Sequence, residues 1–434
     1  MFSLGRIVAI TLICANAATA ANWPQWRGPA ADGISPDLNP PIEWDTTRNI
    51  AWKTKLPGLG TSTPIVWGDL VILTTQIGDS PVEGRAFDFP GSPRARRGGS
   101  SKVRFVVSAY SRRDGKPVWE YSFDAEGDLP PTHSMHNLAS PSCVTDGNLV
   151  YAWFATGQLV ALDMKGKLVW GRNIGREYSN FTVLWGHGSS PVLYKDMLIL
   201  LCDHFDAGYL LALDKRSGKQ VWKADRGAPR RSYSTPFIIP DGSGQIVVNS
   251  EERIDVYNAT NGELLWWIGD RSQAVVPSPV WHDGILYTSR GYSSGPYFAV
   301  QTGGKGDARS RVKWEVRTGA PYISSLLYYR GVVYMATETG VATAVDAEDG
   351  KPLWKQRLGG VFSASPVAAD GKVYLLNEDG ETVVLEAGRE PKILSRNKLE
   401  ERTLASPAIS NGQLFIRSDD SLFCIGKPSA GPGK

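Results

Sequence analysis

Cysteine is scarce in this chain, with four residues among 434, at Cys14, Cys143, Cys202 and Cys424. So few, so widely spaced, exclude a disulfide framework. The chain has neither a Cys-Cys pair nor a Cys-x-x-Cys-His motif, which removes c-type haem attachment. Charge of one sign is also lacking: the formal net charge is +3, too small to imply a nucleic-acid partner. No apolar run reaches the ~20 residues that a membrane-spanning helix needs. Extended helical periodicity is missing, as are a Walker loop, a dinucleotide fingerprint and a Ser-His-Asp order in a fitting context.

What the chain does have is glycine (46), proline (28) and tryptophan (15), which suits many short strands joined by tight turns. Met1 to Ala20 read as a secretory signal. Arg6 gives the positive start, Ile7 to Ala15 a short apolar run, and Ala18-Thr19-Ala20 a small-residue cleavage site. Cys14 follows the bulky Ile13, unlike the small residue that precedes a lipidated cysteine. The mature protein is therefore expected to be exported, to the periplasm or the exterior, without a transmembrane segment. Cys143, Cys202 and Cys424 each sit in an apolar strand-like run and read as buried thiols.

Two anchors recur. The first is a Ser/Thr-Pro pair opening an apolar strand, at Thr63-Pro64, Ser140-Pro141, Ser190-Pro191, Thr235-Pro236, Ser278-Pro279, Ser365-Pro366 and Ser406-Pro407, with Ser325-Leu326 in the remaining slot. After a first step of 77 residues the spacing settles at 40–50, the length of one four-stranded propeller blade. The second anchor is an Asp-x-x-x-Gly-x-x-x-Trp turn, as in Asp214, Gly218 and Trp222 or Asp346, Gly350 and Trp354. The acidic or amide side chain bonds the turn backbone and glycine supplies positive φ. The tryptophan then opens the outer strand, where its ring can pack on the neighbouring blade. Trp52, Trp119, Trp170, Trp222, Trp266, Trp314 and Trp354 fall in this register and are assigned to blade docking.

The last unit, from Ser406, ends without an outer strand, and Asn49 to Leu56 matches the missing piece in pattern. The expected fold is an all-β, eight-bladed propeller of four-stranded antiparallel blades, its last blade closed by the N-terminal strand, so that no edge is left open. The organisation follows: a signal at 1–20, an N-terminal opening segment at 21–48 lying outside the ring, the propeller at 49–427 with a basic Pro/Gly/Ser-rich insertion at 78–102, and a tail at 428–434.

On these turns, over nearly all of Trp52 to Gly426, the chain resembles the pyrrolo-quinoline-quinone-like (quinoprotein-type) repeat propellers. Trp23-Pro24-Gln25-Trp26-Arg27-Gly28-Pro29 with Asp32-Gly33 resembles the opening of an exported bacterial branch of them. The resemblance implies one of two roles. Quinoprotein dehydrogenases hold the quinone (PQQ) and calcium on the propeller axis; the propeller subunit of the outer-membrane β-barrel assembly machine binds protein. The missing Cys-Cys pair, and the lack of matching motifs for the calcium ligands, turn the expectation toward binding without a cofactor.

Loops that precede the Ser/Thr-Pro anchors should gather at one mouth of the central channel. They carry His133, His136, His187, Arg231, Tyr322 and Arg402 as candidate ligand contacts, groups suited to anionic or hydrogen-bonding ligands. His133-x-x-His136 lacks a supporting Glu or Cys at diagnostic spacing, so no metal is assigned, and no catalytic residue is assigned either. The expected protein is a monomeric, non-catalytic scaffold presenting this rim to an envelope protein, peptide or glycan. The alternative is a PQQ-dependent dehydrogenase-like oxidoreductase.

Overall fold

The computed structural model describes residues 21–79, 102–127, 129–183, 185–292 and 295–427. The expected signal at 1–20, nearly all of the basic insertion and the tail at 428–434 lie outside them.

Eight four-stranded antiparallel sheets follow one another along the chain. Blade 1 begins at Ile65–Trp67 and blade 7 ends at Lys392–Lys398. Blade 8 is built from Ala408–Ser410, Gln413–Arg417 and Ser421–Ile425, and its outer strand is Ile50–Lys55, paired antiparallel with Trp52 opposite Cys424. Two short additions decorate the ring. Ile34–Ser35 joins blade 7 in parallel beside Ala368 and Ala369. Gly306–Asp307 covers the outer edge of blade 4 beside Trp266 and Trp267.

The two middle strands of a blade are buried on both faces, as in Met197–Asp203 and Gly208–Asp214 of blade 3. Alternate residues along them point to the preceding and the following blade, so the core is a set of sandwiches between blades. Leu198, Leu200 and Cys202 of blade 3, for example, pack with Tyr151, Trp153 and Leu159 of blade 2. The three described cysteines are free and buried.

The recurrent tryptophan and the recurrent turn belong to one joint. The indole N–H of Trp222 donates to the carbonyl of Ala259, one residue past Asn258 in the next blade's turn, at 3.1 Å. A Cβ on Gly262 would lie 2.7 Å from the Trp222 ring, and the φ of Gly262 is +75°, so only glycine fits there. Trp52 to Arg112, Trp119 to Met164, Trp170 to Lys215 and Trp314 to Ala347 repeat the same bond at 2.8–3.0 Å. Two positions depart from it. Blade 5 carries an inserted strand and 3-10 turn before Trp314, so Trp266 bonds Gln245 of its own blade and takes Arg311 over its ring at 5.2 Å. The blade 7 turn lacks the Asp-x-x-x-Gly pattern, and the Trp354 indole N–H finds no acceptor among the described residues.

A second joint circles the axis. The anchor amide of each inner strand donates to the anchor hydroxyl of the next blade: Thr63 to Ser142, Ser142 to Ser190, Ser190 to Thr235, Thr235 to Ser278, Ser278 to Ser325, Ser325 to Ser365, and Ser365 to Ser406, all at 2.9–3.0 Å. In blade 2 the anchor is thus Ser142-Cys143, two residues beyond the Ser140-Pro141 pair that the sequence offers. A hydroxyl acceptor sets the register, and proline after it is dispensable.

The opening segment is packed against the ring, where sequence placed it outside. Trp23 pairs with Val66 of blade 1, and the Pro24 carbonyl accepts from Thr145 of blade 2. Arg27 donates to the Leu326 carbonyl of blade 6 at 2.7 Å, and the Trp44 amide donates to Asn397 Oδ1 of blade 7 at 2.9 Å. Trp23, Arg27 and Trp44 are at most 1% exposed. The segment crosses one end of the axis.

Trp222→Ala should cost about 3–5 kcal/mol, the range for truncating a buried large aromatic side chain, and a chemical melt would read it. Deleting residues 21–45 should lower the melting midpoint further than that single substitution, because it strips contacts from blades 1, 2, 6 and 7. An unchanged midpoint in the deletion would show the segment to be dispensable to the ring.

Candidate functional site

All eight loops that enter inner strands contribute to one cavity of about 240 Å³ on the axis. Its floor is Trp26 of the opening segment. Thr61 and Thr63, Ser140 and Ser142, Ser190, Thr235, Ser363 and Ser365, and Ser406 supply a hydroxyl lining, while Met135, Val276, Ile323 and Leu404 supply apolar wall.

Of the six residues proposed from sequence, three line this pocket: His133, His136 and Tyr322. The His133 ring stands edge-on to Trp185 at 6.2 Å, and its Nδ1 accepts from the Met135 amide at 3.2 Å. Trp185 stacks in turn on Tyr233 at 6.0 Å, and both face the cavity. Tyr322 is held edge-on by Tyr292 at 5.4 Å, and burial pushes its phenol up to about 12.

The other three do not line it. Arg231 makes a two-pronged ion pair with Glu251 at 2.6 and 2.7 Å. Arg402 lies between Glu378, at 3.7 Å, and Asp419, at 3.4 Å. Sequence offered these guanidinium groups to a ligand; a carboxylate beside each has taken them. His187 is turned into the apolar seam between blades, with its ring 4.4 Å from Trp153 and 4.9 Å from Phe181 and both ring nitrogens without a partner among the described residues. Trp26 and the ring of anchor hydroxyls were missed as lining. The signal was in the anchors themselves: the residue that sets each strand's start is also the one nearest the axis.

Electrostatically the pocket is bare. Among the described residues, no Asp, Glu, Lys or Arg side chain lines it. Burial holds the His136 imidazole down at about 4, with His133 adding to the effect, and holds His187 at about 3, with His136 and His204 adding. His133 is likewise lowered, by burial and then by Arg402. These rings are neutral at pH 7. Among the described residues no group of three or more His, Cys, Asp or Glu is placed to hold a metal ion.

Comparison with known proteins gives a consistent picture. The family model described as outer membrane protein assembly factor BamB matches residues 41–182, 103–305 and 298–389. The outer membrane protein assembly factor BamB of Yersinia pestis is 25% identical over 302 residues, covering 57% of this chain and 73% of that protein. The tetrathionate hydrolase of Acidithiobacillus ferrooxidans is 23% identical over 358 residues, covering 76% of this chain and 65% of that one. Among solved structures, BamB from Moraxella catarrhalis aligns with a TM-score of 0.58 at 17% identity, over 88% of this chain and 98% of its own. The quinohemoprotein alcohol dehydrogenase ADHIIG from Pseudomonas putida HK5 aligns at 0.65 with 13% identity, over 95% and 81%. At such identities the solved structures speak for the fold alone.

The buried imidazoles set a pH dependence. Unfolding returns His136 and His187 to their ordinary value of 6.5, so below that pH the unfolded chain binds more protons than the folded one. Stability from these two groups is complete above pH 6.5 and declines as pH falls toward 4 and 3. Melting midpoints should therefore fall across this window, and His187→Leu should flatten the slope relative to the parent. Parallel slopes in the two proteins would show that His187 is not the source.

Proposed function

We propose, from the premise that this chain belongs to the repeat-propeller family described as outer membrane protein assembly factor BamB, that it is a non-catalytic binding propeller of the cell envelope. The partner is a protein, held at the mouth of the axial pocket. The observation that carries this reading is the pocket's composition: eight loops converge on hydroxyls and aromatic rings, with no ionised side chain lining it among the described residues. Concave, largely apolar surface with a few convergent polar groups is what a binding site needs. Trp185, Tyr233 and His133 form the kind of aromatic cluster that anchors protein interfaces. The name of the related assembly factors supports both an envelope location and a protein partner.

Hydrolytic or redox chemistry would need more than the lining provides. The two facing imidazoles are depressed by burial, and no carboxylate stands beside either to orient it as a base. The quinone-calcium reading meets the same obstacle. Calcium takes carboxylate and carbonyl oxygens, whereas the lining has no Asp, Glu, Asn or Gln among the described residues. The residues present do not fit that group.

A Trp185→Ala/Tyr233→Ala variant should retain its melting midpoint and lose partner capture from an envelope fraction by about tenfold or more, the loss expected when aromatic anchors are removed. Dye reduction by the protein after incubation with the quinone and calcium would overturn the non-catalytic reading.

A further inference from the structure

We propose that the axial pocket recognises a chain-terminal carboxylate that follows an apolar residue. The proposal rests on the binding reading above and names what the pocket reads. The hydroxyls of Ser142, Ser190, Thr235, Ser365 and Ser406 each accept the anchor amide of the preceding blade. A hydroxyl has one proton and two lone pairs; the amide occupies a lone pair and leaves the proton. All five residues line the cavity, and none of their hydroxyls donates to an acceptor among the described residues. The ring that holds the blades together therefore also leaves a circle of O–H donors free beside the cavity, with no carboxylate in the lining among the described residues to answer them.

A positive charge stands behind the floor. Arg27 is fully buried, and its Nε and Nη1 have no hydrogen-bond partner among the described residues. Its guanidinium carbon is 5.8 Å from the centre of the Trp26 ring, the ring that closes the pocket. Asp32 contributes to the field at Arg27, but Nη2 bonds the backbone carbonyls of Asp32 and Leu326. A buried guanidinium without an ion-pair partner is costly, and a carboxylate on the axis would offset part of that cost while taking charge-assisted bonds from the hydroxyls.

Shape chooses the source of the carboxylate. A cavity of about 240 Å³ behind eight loops admits a chain end and no folded surface. Met135, Val276, Ile323 and Leu404 leave apolar wall beside the hydroxyl ring, which matches an apolar side chain next to the terminal group.

The test is calorimetric titration of the full chain with N-acetyl-Gly-Ser-Gly-Leu bearing a free carboxylate, and with the same peptide amidated. The acid should bind, and the amide should bind about tenfold more weakly or not at all. Ser190→Ala and Thr235→Val should each weaken the acid and narrow the gap between the two peptides. The comparison on the parent protein decides the matter if either variant fails to fold. Equal affinity for acid and amide, or no heat from either at millimolar concentration, overturns the proposal; partner capture that depends on Trp185 and Tyr233 would still stand and keep the binding reading. Displacement of the acid peptide by an equal concentration of acetate would assign the site to small free carboxylates and overturn the chain-terminal reading.

Discussion

Each inner strand begins at the axis with a backbone amide that lies ahead of its own ladder, and a buried amide must find an acceptor. The hydroxyl of the next blade's anchor supplies it, seven times in succession among the described residues, from Thr63 round to Ser406. This constraint fixes the height of every blade relative to its neighbour at the centre. The tryptophan joints do the same at the periphery, where an indole N–H reaches a turn carbonyl of the following blade. With both radii fixed, the remaining freedom is closure. The pairing of Ile50–Lys55 with Ser421–Ile425 removes it.

The opening segment changes what the ring can do. An eight-bladed ring by itself would leave a channel; Trp26 closes one end of it and Arg27 is buried behind. The residues whose hydroxyls satisfy the anchor amides then line the pocket above Trp26. Structural joint and binding surface share the same atoms, which is why the lining is rich in Ser and Thr and poor in charge. The arginines that might have supplied charge to the mouth are engaged by Glu251, Glu378 and Asp419, and the imidazoles are kept neutral by burial.

The blades were legible because their signals are local. A hairpin turn needs its Asp and Gly within five residues, and a strand alternates within six, so Asp214, Gly218 and Trp222 announce their roles without help from distant chain. The same holds for closure, where Asn49 to Leu56 carries the outer-strand pattern of a blade 350 residues away. The blade 2 anchor was misplaced by two residues because Ser140-Pro141 and Ser142-Cys143 both offer a hydroxyl before a strand, and only the partner across the blade boundary distinguishes them. Trp266 and Trp354 departed from the docking geometry because the turns of the next blade that would have supplied their acceptors are irregular.

Sequence by itself determined the all-β repeat, the number of blades, the closing strand, the buried free thiols and the loops that build the mouth. Each of these follows from hydrogen-bonding and apolar periods that repeat within one blade. Tertiary structure decided which side chains in those loops face the axis. Equivalent positions in sequence gave His136 and Tyr322 to the pocket but turned His187 into an apolar seam, and gave Arg231 and Arg402 to carboxylates in nearby loops. The orientation of a loop side chain depends on what packs beside it. That neighbour comes from another loop or strand, 20 residues along the chain for Arg231 and Glu251 and 17 for Arg402 and Asp419, and stands beside it only once the blades have formed.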